Sequence, residues 1–342
     1  MIRFLLIPKR KPYSRLRLLG LLLIASLLIA TVYVWHWYVS SIKLTSEDRF
    51  NQIIDKSSRT LTNQFEVYAN MLYSGRGLFL VNNTMNQQKW DTFIKAQNIT
   101  QRYPAISGIH YASVVNRNNL DNFLSDLVSQ SESSQPINLR PSSNKQQLVI
   151  LTYYSSDTDK HAIVGFDMYA DSMRAQALDK ARDNNAAQSS VPVVLASDLL
   201  SGRKSVVVVL PVYNPSAPEL NSVSSRRANI QGFVAMGLHI QQFLDDVYTQ
   251  GGTPSSIHVA VAIDGAPVYS FGQQSTGQQL QKRVVLDLAG KTWQFTYTSP
   301  RLIDISVAGI SAPYVVLTSG LLLSLLLGIT IYYATLPDRK LQ

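Results

Sequence analysis

Histidine, serine, aspartate and cysteine supply most catalytic and metal sites, and here their spacing argues against both. The five histidines are His36, His110, His161, His239 and His258. None lies three or four residues from another and no His-Glu-x-x-His occurs, so no helix face offers two imidazoles to a zinc ion. No Gly-x-Ser-x-Gly sets a serine on a strand-to-helix elbow, and no Walker-type glycine loop cradles a phosphate. The absence of cysteine excludes a disulfide framework and thiolate-held metals. The expectation is a chain with no catalytic residues, no metal and no cofactor. An envelope enzyme would need a catalytic pair that the sequence does not show.

The elements that carry the remaining residues are set by hydrophobicity and charge. Only 15% of the chain is charged, against about 25% in an ordinary soluble domain, and this points to membrane content. Of the net charge of +9, +7 sits at the ends, where eight basic residues face one acidic residue; the middle holds 23 against 21. That distribution is a topology signal and excludes a nucleic-acid surface. Leu18 to Val39 contains no Asp, Glu, Lys or Arg and is long enough to cross about 30 Å of hydrocarbon. Tyr33, Trp35, Trp37 and Tyr38 crowd its far end like an interfacial aromatic belt. Pro313 to Leu336 reads as a second span. The expected order is a basic N-terminus at 1–17, a transmembrane helix at 18–39, a stalk helix at 40–75, a membrane-distal region at 76–250, a membrane-proximal region at 251–312, a second transmembrane helix at 313–336 and a tail at 337–342. Both termini then face the cytoplasm.

Within the stalk, Phe50, Ile54, Leu61, Phe65, Tyr68 and Leu72 recur at helical spacing and form one stripe. The stripe packs on the domain that follows or forms a dimer seam. Further on, the pattern predicts a helix over 87–101 and a strand over 106–115. A helix over 118–128 precedes strands at 148–154 and 162–167. A helix over 170–183 is followed by strands at 191–195 and 205–213, then a polar loop at 214–227, a strand at 230–238 and a helix at 240–248. After Gly251-Gly252, four strands form two hairpin-like pairs, the first turning at Asp264-Gly265. In the second span, Gly320, Ser324 and Gly328 share one face, which packs on the first span or on a second chain.

Several of these segments resemble one family. Arg102 to Ala112, RYPAISGIHYA, looks like the first sheet strand of the CHASE domain, an extracytoplasmic sensory module of membrane receptors. Gly165-Phe166-Asp167-Met168 with Arg174, Ala177, Leu178 and Ala181 is similar to the family's strand-to-helix signature, and Pro192 with Pro211-Val212-Tyr213 to its strand pair. Arg76-Gly77-Leu78-Phe79 and Trp90 match its upstream helices. The resemblance implies an α/β (α+β) architecture: two transmembrane helices flank a periplasmic CHASE-like domain, with a long N-terminal stalk helix and two PAS-like subdomains. It also implies a small-molecule pocket in the membrane-distal subdomain. Candidate ligand contacts are His110, Tyr111, Thr152, Tyr153, Asp167 and Tyr213. The structural alternatives are that Asp167 caps the next helix, Tyr111 belongs to the core and Arg174 pairs with an aspartate. Plant receptors of the family read an adenine-type ligand with an acidic residue near the strand at 148–154. Here Asn144-Lys145-Gln146-Gln147 has no acid.

The resulting expectation is a bacterial inner-membrane receptor component that binds a small ligand outside the membrane. The six-residue tail is too short for an output domain. The signal then passes to an output in trans, a partner kinase or cyclase or a second copy of the chain, or to a domain missing from this chain. The alternative is a membrane partner protein that binds no ligand and stabilises another receptor or envelope complex.

Overall fold

Helix α1 (Pro12–Val81) runs for 70 residues. Proline at its first position costs no hydrogen bond, and neither proline nor glycine interrupts residues 21–74. In the computed structural model, residues 12–81, 85–130, 143–154, 164–217, 219–274, 277, 279–300 and 307–334 are described. They fall into two compact units, Met1–Gln52 with Pro300–Gln342, and Ile53–Ser299.

In the first unit, the apolar start of α1 and the C-terminal helix are each long and apolar enough to cross a membrane. Small residues let these two helices approach. A Cβ on Gly320 would run into Thr31, and one on Gly20 would come within 2.8 Å of the Ile331 side chain. Ser324 is buried and bonds back to the Gly320 carbonyl. The small-residue face at Gly320 and Ser324 is therefore covered by the chain's own first helix.

In the second unit, α1 continues to Val81, past the expected end at residue 75. Glycine in a helix interior costs roughly 1 kcal/mol, but Gly75 is what lets the helix reach the sheet. A Cβ there would lie 3.1 Å from Val234 and 3.5 Å from Trp90. The stripe residues Ile54, Leu61, Phe65, Tyr68 and Leu72 are all buried. Phe65 and Tyr68 meet Phe243, and Tyr68 meets Tyr103 edge-on, so this part of the stripe packs on the sensor domain.

Helices α2 (Gln87–Gln97) and α3 (Ile99–Arg102) lead into β1 (Ile106–Asn116). Helix α4 (Leu120–Gln130), β2 (Gln147–Tyr153) and α5 (Ser172–Asn184) follow. Next come β3 (Gln188–Ser189), β4 (Val193–Val194), β5 (Lys204–Tyr213), α6 (Val223–Asn229), β6 (Ile230–His239) and α7 (Ile240–Asp245). The strands form one antiparallel sheet in the order β2-β1-β6-β5-β3, with β4 also on β5. Two expectations change. Of the strand expected at 162–167, residues 162 and 163 lie outside the described residues; 164–166 form a turn and Asp167 makes a single bridge to Ile150. The loop expected at 214–227 ends in α6, because the Ser222 side chain caps the Ser225 N–H.

A π-turn (Asp246–Gln250) leads from α7 to the second sheet, ordered β8 (Ala266–Phe271), β7 (His258–Ile263), β10 (Lys291–Pro300), β9 (Gln279–Leu288). Asp264 and Gly265 both take positive φ in the tight turn between β7 and β8, as a two-residue hairpin requires. Trp293, Phe295 and Tyr297 are buried on one face of β10. The last helix, α8 (Val307–Ala334), belongs to the first unit.

Candidate ligand-binding site

Between the six-stranded sheet and α5 lies a cavity of about 70 Å³. The helix comes close to the sheet because its inner face is small: Ala175, Ala177 and Ala181 are buried beside Leu178. Asp171 starts it by accepting from the N–H groups of Met173 (2.8 Å) and Arg174 (3.3 Å), and Asn185 ends it at φ 50°. The sheet contributes His110, Leu151, Val207, Ala235 and Gly237 to the cavity wall; the other walls are Phe166 with Met168, Arg174, and Leu195 to Ser197.

Two register slips decide which side chains reach this space. Strict alternation puts Ser107 and His110 on opposite faces of β1. However, β1 carries one extra residue between the pairs Ile106–Leu238 and Gly108–Gly237, and this bulge brings Ser107 to the wall beside His110. The Ser107 hydroxyl donates to the Gly237 carbonyl at 3.2 Å. A Cβ at position 237 would strike that hydroxyl and the Leu195 side chain, so glycine is required by close approach. In β2, Thr152 is the extra residue between the pairs Tyr111–Tyr153 and Ala112–Leu151. Leu151 lines the cavity, whereas Tyr153 turns to the helix-covered face.

The electrostatics of the cavity rest on two groups. The His110 imidazole borders the cavity, and its buried Nδ1 has no hydrogen-bond partner. Burial favours the uncharged ring and pushes its pKa down to about 4. Arg174 is 11% exposed; its Nη1 holds the Asp171 carboxylate at 2.7 Å and its guanidinium lies 5.1 Å from the Phe166 ring centre. Burial draws the Arg174 pKa down and Asp171 opposes that shift.

Of the six residues singled out from the sequence, His110 alone lines the cavity. Tyr111 is buried on the opposite face, stacked on Phe79 at 3.9 Å and on Tyr153 at 5.8 Å. Burial and the neighbouring Tyr153 raise its pKa. The Tyr153 hydroxyl donates to the Met85 carbonyl (2.8 Å). Thr152 donates to Ile150 O and accepts from the Ser113 N–H within the bulge. Tyr213 donates to Arg182 O at 2.5 Å, tying down the end of α5. Asp167 is fully buried and accepts from the N–H groups of Ser143 (2.8 Å), Tyr169 (3.0 Å) and Val149 (3.2 Å). It caps the turn that follows, and so fixes Phe166 and Met168, which do face the cavity. Arg174 pairs with an aspartate, as the alternative reading had it. Ser107, Gly237 and the loop at 195–197 had no signal in the sequence, since a bulge and a distant loop bring them here. His161 lies outside the described residues.

Behind the loop wall stands a second polar cluster. The Ser205 hydroxyl and His239 Nδ1 lie 2.9 Å apart, and the same nitrogen is 3.6 Å from Asp198 Oδ2. A serine and an aspartate on one ring nitrogen is not the relay of a hydrolytic triad, which needs them on opposite nitrogens. Burial lowers the His239 pKa, and Asp198 Oδ2 has no hydrogen-bond partner, so the cluster is a polar contact between residue 198 and the end of β6 rather than an ion pair. Among the described residues, no group of three or more His, Asp or Glu is placed to hold a metal.

The cavity's sheet, helix and loop walls all lie within residues 83–279, the stretch matched by the model of the CHASE domain. The chain belongs to the CHASE domain family. A CHASE domain is an extracytoplasmic sensory module, and two apolar helices flank this one. No curated protein matches the chain. Two solved structures are similar to it at low identity. One is an extracellular ligand binding receptor from Desulfohalobium retbaense, with 8% identity and a TM-score of 0.38. The match covers 76% of this chain, which spans 39% of that receptor. The other is the periplasmic sensory domain of the Campylobacter jejuni chemoreceptor Tlp1, with 12% identity, a TM-score of 0.35, and 79% and 95% of the two chains covered.

Proposed function

We propose that this CHASE protein is a non-enzymatic receptor component of a bacterial inner membrane. Its two apolar helices span the bilayer, with both termini cytoplasmic and the domain, built as two PAS-like subdomains, in the periplasm. It binds a small molecule in the cavity between the sheet and α5. The observation that carries this reading is the pocket itself: a mostly apolar wall interrupted by a few polar groups, the His110 imidazole, the Ser107 hydroxyl and Arg174, which is the make-up of a small-molecule site.

Signal transfer follows from adjacency along β1. His110 faces the cavity, while Tyr111, the next residue, stacks on Phe79 of the long helix. A ligand that prefers one of two positions of β1 shifts the helix by as much as its affinities for the two differ. The signal passes to an output in trans, on a partner kinase or cyclase or through pairing of two copies of this chain, or to a domain missing from this chain.

The test is thermal unfolding of the full chain in detergent against a library of small metabolites. A specific ligand raises the midpoint by mass action, and His110→Phe abolishes the rise while leaving the unliganded protein folded. No response across a broad library, or a response unchanged in that variant, sinks the proposal and leaves a partner protein that binds no ligand.

A further inference from the structure

The charges at the walls of the cavity say more about what fills it. We infer that its ligand is an uncharged, compact molecule with an apolar body and one hydrogen-bonding group that meets His110. This rests on the cavity being the ligand site and adds the ligand's chemical class.

Among the described residues, the cavity wall contains no carboxylate, and Arg174 is its one cation. That cation is already neutralised by Asp171 and packed on Phe166. An anionic ligand would have to compete with Asp171 for Arg174, and a cationic one would find no counter-charge. Moving an unpaired ion from water to such a site costs several kcal/mol. The imidazole is neutral near pH 7, because burial holds its pKa near 4. A neutral imidazole offers one donor and one acceptor, so a hydroxyl, an amide or a ring nitrogen suits it equally. The Ser107 hydroxyl has spent its proton on Gly237 and retains acceptor capacity. Leu151, Phe166, Met168 and Leu195 supply the apolar remainder. The volume of about 70 Å³ is roughly half that of a cavity known to hold benzene, so the part of the ligand that enters beside His110 is small.

The experiment uses the full chain in detergent and three short alkyl diazirines with one carbon skeleton, ending in a hydroxyl, a carboxylate or an ammonium group. After photolysis, peptide mapping reads the label on residues 164–174 and 195–197. The alcohol labels these peptides saturably, about tenfold above the acid and the amine. His110→Phe removes the alcohol's advantage, and Ala196→Leu, which narrows the cavity from its loop wall, lowers its labelling. Stronger labelling by the acid or the amine, or equal labelling by all three, overturns the neutral class while the site stands. Absence of saturable labelling, or labelling indifferent to both substitutions, overturns the site itself.

Discussion

On one face of the six-stranded sheet, β1 sets Tyr111 between Phe79 and Tyr153; one residue earlier, on the other face, it sets His110 beside a void. The first face is filled by large rings from α1 and α2, with Trp90 and Ile109 fully buried. The second is covered by a helix whose inner residues are mostly alanine, and what remains is a cavity bordered by the His110 imidazole. Aromatic packing makes the first face rigid and fixes β1 against the long helix. Small side chains on the second face leave room for something that is not protein. Under the proposed function, the difference gives stability to one face and recognition to the other.

The largest expected effect breaks the first face. Trp90→Ala should destabilise the full chain by about 3–5 kcal/mol, the usual cost of deleting a buried indole, read by chemical denaturation in detergent. A loss under about 1 kcal/mol would mean that this face is not the rigid one.

Asp167 tests the boundary between the two roles, since it fixes cavity-lining neighbours without touching the cavity. Asp167→Ala strands three buried N–H groups, so a loss of about 3 kcal/mol is expected. The folded fraction should still bind ligand with near-normal affinity. Weakened binding at unchanged stability would move Asp167 into the recognition set.

The third effect depends on pH. The folded His110 pKa is depressed to about 4 from an ordinary 6.5. Between those values the unfolded chain binds a proton that the native chain does not, so stability rises with pH across this window and is lost as pH falls through it. The full span corresponds to about 3 kcal/mol. His110→Phe should reduce this slope, leaving the contribution of His239, whose pKa burial also lowers, and the carboxylate titrations. Parallel pH profiles for the two proteins from pH 7 to 4 would show that the imidazole is not buried as described.

The smallest effect lies on the exposed edge of the recognition face. Lys145 sits 3.8 Å from the centre of the Tyr169 ring and 3.5 Å from Asp179, and its side chain is 46% exposed. Lys145→Ala should cost under about 1 kcal/mol and leave ligand response intact. A larger loss would extend the functional surface beyond the cavity.

Much of this fold was legible before any coordinates. The stripe at Ile54, Leu61, Phe65, Tyr68 and Leu72 follows helical periodicity and is buried as that periodicity requires. The β5 and β6 strands read directly from their β-branched runs, and the apolar ends from length and charge. The motifs at 102–112 and 165–181 pointed to the CHASE domain, and its model matches residues 83–279. Of the candidate contacts, only His110 borders the cavity. Tyr153 and Tyr111 have the composition of ligand contacts, yet both pack against helices. Asp167 has the composition of a binding carboxylate, yet its oxygens go to three backbone N–H groups.

The sequence by itself determined which segments become helices and strands, because periodicity and turn chemistry are local. Only the tertiary structure decided which side chains meet in the cavity. A single extra residue in a strand moves every later side chain to the other face, and the bulges at Ser107 and Thr152 exist only once β6 and β1 have paired with their neighbours. The same holds for Leu195 to Ser197, a loop far along the chain from β1 that no local pattern assigns to the cavity.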